Sequence, residues 1–175
     1  MNAFFQRLSR MVRHRWTDDA LVNRLIAPTL LTTLTQRVSA SERRHTGEIR
    51  ICIEGGLPMS YLWRDAPARE RALMMFGKLR VWDTENNNGV LIYLLLADHA
   101  IEIVADRGIH RQVDPQAWAL TTQQMADAFR QGRFEDGLTQ ALEEVSALLV
   151  AQFPLDGQSP DAPNRNELPD APVVI

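Results

Sequence analysis

Apolar positions recur along this chain with two periods, and the switches between them mark its elements. Thr17-Asp18-Asp19 offers a capping hydroxyl and two acids suited to the positive end of a helix dipole. Pro28 lacks an N–H, so a break or restart is predicted there. Leu30, Leu31, Leu34 and Val38 form a second helical stripe, closed by the polar run SASERRHTG. In EIRICIE, residues 48–54, Ile49, Ile51 and Ile53 alternate with Arg50, Cys52 and Glu54, which predicts a half-buried strand. EGGLP reads as a turn. A helix follows from Ala66 to Val81, with Ala68, Ala72, Leu73, Phe76 and Leu79 on its inner side, and WDTENNNG ends it. Gly89 to Ala97 is apolar on both faces, the pattern of a fully buried strand. Asp98-His99 leaves room only for a tight turn, so residues 100–105 return as the second arm of an antiparallel hairpin. Asp114 and Pro115 suit the cap and first position of another helix, with Trp118, Met125 and Phe129 inside and Gly132 closing it. The last helix starts near Phe134 and repeats Leu138, Ala141, Leu142, Val145, Leu148 and Leu149 at threes and fours.

The order is helices, strand, helix, hairpin, helix, helix. A strand apolar on both sides needs helices over both faces of its sheet, so the fold class is α/β: a single-domain three-layer α/β/α sandwich with a small central sheet. Residues 1–40 read as an N-terminal helical segment packing on the domain. Residues 41–153 form the domain, and 154–175 a Pro-rich extended tail holding five of the nine prolines. The tail ends in Val-Val-Ile, an apolar triplet able to dock.

Composition narrows the function more than the fold. The chain has 175 residues, a formal charge of −3 and one cysteine. The charge gives no global pull toward nucleic acid. One cysteine excludes an intramolecular disulfide and a multi-cysteine zinc site, and fits a reducing compartment. No apolar run reaches the length of a membrane span. The N-terminus carries Arg7, Arg10, Arg13 and Arg15 before its first acid, and lacks the h-region and cleavage site of a secretory signal. Phe4, Phe5, Leu8, Met11 and Val12 share one helical face with the arginines opposite: a docking helix, a membrane-surface or partner helix, or an Arg-rich transit segment.

Familiar catalytic motifs are missing. There is no Walker or dinucleotide glycine loop, no nucleophile elbow and no H-E-x-x-H. Six positions after Cys52 stands Pro58, where a cysteine phosphatase needs arginine. Cys52 itself reads as a small buried hydrophobe. His14, His45, His99 and His110 are scattered. Oxygen donors near strand ends are the stronger signal: Asp83, Glu85, Asn86, Asn87 and Asn88 before the second strand, Asp106 after the third, Asp114 beyond. Such hard donors suit calcium or magnesium, though Asn-Gly is also ordinary turn chemistry and Asp114 serves as a cap.

NNNGVLIYLLLADHAIEIVADRGI, residues 86–109, resembles the signature of the TPM-domain family, also labelled TPM phosphatase. HTGEIRICIE is similar to that family's first strand, and FRQGRFEDGLTQALEEV, 129–145, to its closing segment. The resemblance implies an α/β sandwich. It also implies calcium binding and weak acid-phosphatase activity in some members, and membrane-complex maintenance in others. It points to a soluble bacterial branch without signal peptide or membrane anchor. This chain departs from the pattern after the third strand. Asp106 stands where a glycine is usual and His110 where a glutamate is usual, so a metal site using that glutamate is altered.

Two readings follow. In the first, the chain is a non-enzymatic binding or assembly module. Its binding edge is Asn86, Asn87, Asn88, Gly89, Arg107 and His110, tuned by Ca2+ or Mg2+. Its partner is a membrane-associated protein, with the basic N-terminal helix helping to dock, and its location is cytoplasmic, peripheral to the inner membrane. In the second, it is a metal-assisted phosphatase with Asp83, Asp98, Asp106 and Asp114 as ligands and Arg107 clamping phosphate.

Overall fold

The computed structural model describes residues 2–17, 19–113, 123, 126–155 and 166–175. The predicted helix start at Asp114 and Pro115, with Trp118 and Met125, lies outside the described residues, as does Asp18.

The chain runs α1 (Asn2–Trp16), α2 (Asp19–Leu25), α3 (Pro28–Glu42), β1 (Glu48–Glu54), α4 (Met59–Trp63), α5 (Ala68–Lys78), β2 (Gly89–Leu95), β3 (Ala100–Ala105), α6 (Arg107–His110), α7 (Phe134–Gln152) and β4 (Val173–Val174). Residues 126–130 are also helical. The sheet order is β3-β2-β1-β4. β1 and β2 are parallel, joined by the α4–α5 crossover, with Glu48 opposite Gly89 and Glu54 opposite Leu95. β2 and β3 form the expected antiparallel hairpin.

Strand alternation sorts the core into two layers. Ile49, Ile51, Ile53, Val90, Ile92, Leu94, Ile101 and Ile103 face α3 and α7, meeting Leu30, Leu34, Val38, Leu138, Leu142, Val145 and Leu149. Cys52, Leu91, Tyr93, Leu95 and Val104 face α4 and α5, meeting Leu62, Ala68, Ala72 and Met75. Each fully buried aliphatic side chain contributes about 1.5–3 kcal/mol. Pro28 sits at the start of α3, restarting the helix after Ala27. Gly132 takes φ +74, the left-handed closure expected of it.

Several expectations are corrected. β1 is buried on both faces, because α5 and the tail cover its polar side. α5 is rotated from the predicted face: Arg71 and Met75 are buried, and Leu73 is 51% exposed. The cause is a buried carboxylate. Glu54 accepts from Arg71 Nε at 2.8 Å and Nη2 at 2.6 Å, and from the Tyr93 hydroxyl at 2.6 Å, so Arg71 must turn inward. Thr17 does not open α2; its hydroxyl donates back to the Arg13 carbonyl at 3.0 Å. α4 and α6 are short helices in stretches to which the sequence pattern assigns no helix.

The terminal Val-Val-Ile does dock. Val173 and Val174 pair in parallel with Cys52 and Ile53. Ile175 N–H donates to the Ile53 carbonyl at 2.9 Å, and Gly55 N–H to the Ile175 carbonyl at 2.8 Å. Farther back, Arg50 donates to the carbonyls of Pro169 and Ala171. The Leu168 amide donates to Glu48 Oε2 at 3.1 Å, and Glu42 Oε1 receives the Ile49 amide at 2.8 Å. The edge of β1 is thereby covered along its length.

Candidate functional site

The loop between α5 and β2 is built by local hydrogen bonding. Asp83 N–H donates to the Arg80 carbonyl at 2.9 Å and Asn87 N–H to the Thr84 carbonyl at 3.2 Å. Asn88 N–H donates to the Thr84 hydroxyl at 3.1 Å, and the Asn88 side-chain amide donates to the Thr46 carbonyl at 2.7 Å. Arg80 and Asn87 adopt φ +55 and +52. Asparagine tolerates that left-handed geometry better than most residues.

This loop and the segment after β3 are one surface. Asp106 N–H donates to the Gly89 carbonyl at 2.9 Å and Gly108 N–H to the Asn87 carbonyl at 3.0 Å. A Cβ on Gly108 would stand 2.5 Å from Asn87 O and 2.9 Å from Asn86 O, so only glycine allows the approach. A Cβ on Gly89 would run into the Val81 carbonyl oxygen. Asp106 starts α6, its Oδ1 receiving the Arg107 amide at 2.6 Å.

The six predicted edge residues are therefore brought together, and they divide into two kinds. Asn86, Asn87, Arg107 and His110 are exposed; Asn88 and Gly89 are buried and hold the frame. The edge also carries Trp82, 51% exposed, which the sequence pattern does not single out as a site residue. The available signal is a tryptophan in a polar loop, beyond the last helical turn.

The four predicted metal ligands are not one group. Asp98 lies in the β2–β3 turn and Asp106 at the far end of β3, about 20 Å away along a six-residue strand. Asp98 is also fully engaged. It accepts from Arg10 Nη2 at 2.8 Å, Arg13 Nη2 at 2.6 Å and His14 Nε2 at 2.8 Å. Asp83 is exposed in the loop, and Asp114 lies outside the described residues. Among the described residues, no group of three or more His, Cys, Asp or Glu side chains is placed to hold a metal ion.

What remains at the Gly89 end is a set of desolvated oxygens. Asn88 Oδ1, Asp106 Oδ2 and Glu48 Oε1 are buried without a hydrogen-bond partner. Glu48 pairs with Gly89 across β1 and β2, Asn88 precedes that glycine and Asp106 bonds to it. Unpartnered buried oxygens are costly. Their type fits a hard cation, with Asn88 and Asp106 as the residues that would hold it and backbone carbonyls or water completing the shell. Bound there, it would neutralise Asp106 and stiffen the loop.

Other reactive groups are occupied elsewhere. Burial, with Glu54 nearby, pushes the Cys52 thiol up to about 12, so it is a core hydrophobe. Burial lowers His45 to about 4, keeping the imidazole neutral. Its Nε2 lies 2.7 Å from Ser41 Oγ, in a polar network with Ser146 and Arg44 joining α3 to α7.

An open four-stranded sheet with helices on both faces, entered by an Asn-Gly loop locked to the turn after the hairpin, defines a small α/β sandwich of the kind the sequence resembles. The chain belongs to the TPM-domain family, whose family model, described as TPM domain, matches residues 22–148. It is similar to BA42 from the psychrophilic bacterium Bizionia argentinensis, solved by NMR. The two are 26% identical, with a TM-score of 0.70, and the match covers 84% of this chain and 93% of that one. The N-terminal domain of a protein from P. gingivalis, also an NMR structure, shares the fold. Its identity is 20% and its TM-score 0.58, over 74% of this chain and 79% of that one. No curated protein matches the chain. Among the described residues, no helix is long and apolar enough to cross a membrane.

Proposed function

We infer that this chain is a non-enzymatic binding or assembly module of the TPM-domain type, and that its partner is a membrane-associated protein docking on the 82–89 and 106–111 edge. One observation carries the reading: two chain segments remote in sequence are locked by the Gly108–Asn87 hydrogen bond into a fixed surface that displays Trp82, Arg107 and His110. Exposed tryptophan and arginine on a rigid frame are the residues that dominate binding energy at interfaces. A calcium or magnesium ion tunes the edge through Asn88 and Asp106. The module works on the cytoplasmic face of the inner membrane.

The phosphatase reading draws less support. It needs Asp98 and Asp106 on one ion, and they stand at opposite ends of β3.

Calorimetric titration of calcium and of magnesium into metal-stripped protein, with Asp106→Asn alongside, tests the ion. Micromolar binding lost in the variant, with an unchanged circular dichroism spectrum, is the expected result. No heat at millimolar ion removes ion tuning from the account. Replacing 86–88 by Gly-Ser tests the edge; a partner complex that survives it contradicts the reading.

A further inference from the structure

α1 is docked with its Arg10–His14 side inward, and Met11, expected on the apolar stripe, packs beside them against the core. Arg10 and His14 point into the domain, their side chains 17% and 1% exposed. Phe5, Leu8, Val12 and Trp16, spaced three, four and four apart, point out and are 61%, 48%, 41% and 77% exposed. This reverses the usual rule for an amphipathic helix on a domain. The orientation is over-determined. Arg10 also donates to Asp65 Oδ1 at 2.8 Å and to the Ala66 carbonyl at 2.9 Å. His14 Nδ1 receives the Leu57 amide at 2.9 Å. A Cβ on Gly56 would lie 2.7 Å from the His14 carbonyl oxygen, so the helix backbone sits directly on the loop after β1. Rolling α1 to hide its apolar stripe would break all of these contacts. The stripe lines a groove of about 560 Å3 together with Thr17 and Leu21.

We propose that this stripe is a docking surface for an anionic lipid bilayer, with α1 lying in the interface plane. Charge decides between occupants. α1 carries four arginines and no acid; Arg7, Arg10 and Arg13 meet two acids, Asp65 and Asp98, which leaves the helix an excess of two positive charges (four minus two) on a chain that is net negative. At 100° per residue, Arg15 falls on one border of the stripe and Arg13 on the other. Arg13 is held by Asp98, whereas the long stem of Arg15 can reach up to phosphate headgroups while the stripe sinks in. Trp16 and Phe5 supply the aromatic residues that an in-plane helix carries on its apolar face. A second copy of the chain would set two such cationic helices against each other, which like charge disfavours. The surface lies at the Asp98 end of the sheet, opposite the Gly89 edge, and the proposal does not rest on that edge.

The test is co-flotation of the full chain with vesicles of phosphatidylglycerol and phosphatidylcholine, and with phosphatidylcholine alone. The wild type floats with the anionic vesicles, with blue-shifted tryptophan emission, and stays behind with the neutral ones. Leu8→Ser with Trp16→Ser, both at exposed positions, leaves the circular dichroism spectrum unchanged and weakens binding at least tenfold. Arg15→Glu weakens it at low salt. Three results overturn the proposal. One is no flotation of the wild type at low salt. Another is equal flotation of the double variant. The third is inert lipid vesicles beside binding to native membranes that protease treatment abolishes, which would assign the face to a membrane protein.

Discussion

His14 holds both of its ring nitrogens in fixed bonds: Nε2 donates to Asp98 Oδ1 at 2.8 Å while Nδ1 accepts the Leu57 amide at 2.9 Å. One imidazole thus ties α1 to the hairpin turn and to the loop leaving β1. Burial alone would raise the Asp98 carboxyl, but hydrogen bonds from His14, Arg10 and Arg13 outweigh it and hold the group well below the usual carboxylate range.

Asp98→Ala removes the shared acceptor of Arg10, Arg13 and His14 and leaves the buried His14 Nε2 without its partner, while Arg10 keeps Asp65 and the Ala66 carbonyl. Breaking a largely buried ion pair in this way costs about 3 kcal/mol. The expected result is a lower urea midpoint and faster amide exchange across α1, with the β1–β2 amides unchanged.

Acid should act through the same carboxylate. Its pKa is depressed in the folded state, so its stabilisation is present above the unfolded value near 3.8 and is lost as pH falls below it. Proteolysis within α1 should therefore increase below about pH 4. In Asp98→Ala that increase should be absent, since α1 is already released.

Alkaline conditions should act on the opposite end. Burial, opposed by the Ile49 amide and reinforced by Glu48 and Asp170, raises Glu42 to about 8. Burial likewise raises Glu48 to about 7, against the Leu168 amide and with Glu167 and Asp170 adding to it. Both folded values lie above the unfolded one near 4.5, so this contribution is full below that pH and is lost as pH rises through 7 and 8. Urea unfolding across pH 5 to 9 should show a falling stability that Glu42→Gln flattens.

Glycine substitutions should separate framework from surface. Gly89→Ala drives a methyl into the Val81 carbonyl and should cost about 3 kcal/mol. Gly77 in α5 has open space where a methyl group would be added, with no neighbouring atom within 4 Å, so Gly77→Ala should be neutral or stabilise by about 0.5 kcal/mol. Thermal melts of the two variants check the contrast.

The strands were legible because their periods are local. The doubly apolar β2 and the three-four repeats of α3 and α7 report their own burial, while the isoleucine alternation of β1 reports the strand and its α3–α7 face but not the cover over its polar side. What escaped depends on partners remote in sequence. The face of α1 is set by Asp98, eighty-four residues beyond His14, and the roll of α5 by Glu54, seventeen residues before Arg71. The amphipathic stripe of α1 by itself argues for the opposite orientation. The resemblance and the strand ends put the loop and the α6 turn in one group, and the Gly108–Asn87 hydrogen bond joins those two segments. Asp98 joins them in the sequence only because a hairpin turn also lies at a strand end, and alternation does not say which end of the sheet a turn occupies.

The most direct test of the binding edge is photo-crosslinking in cells from a benzoylphenylalanine placed at Trp82 or His110, with Gln152 at the end of α7 as an exposed control. The account predicts one discrete adduct from either edge position, none from Gln152, and loss of the adduct when Arg107→Glu is added. Adducts of equal yield from Gln152, or none from the edge, would contradict it.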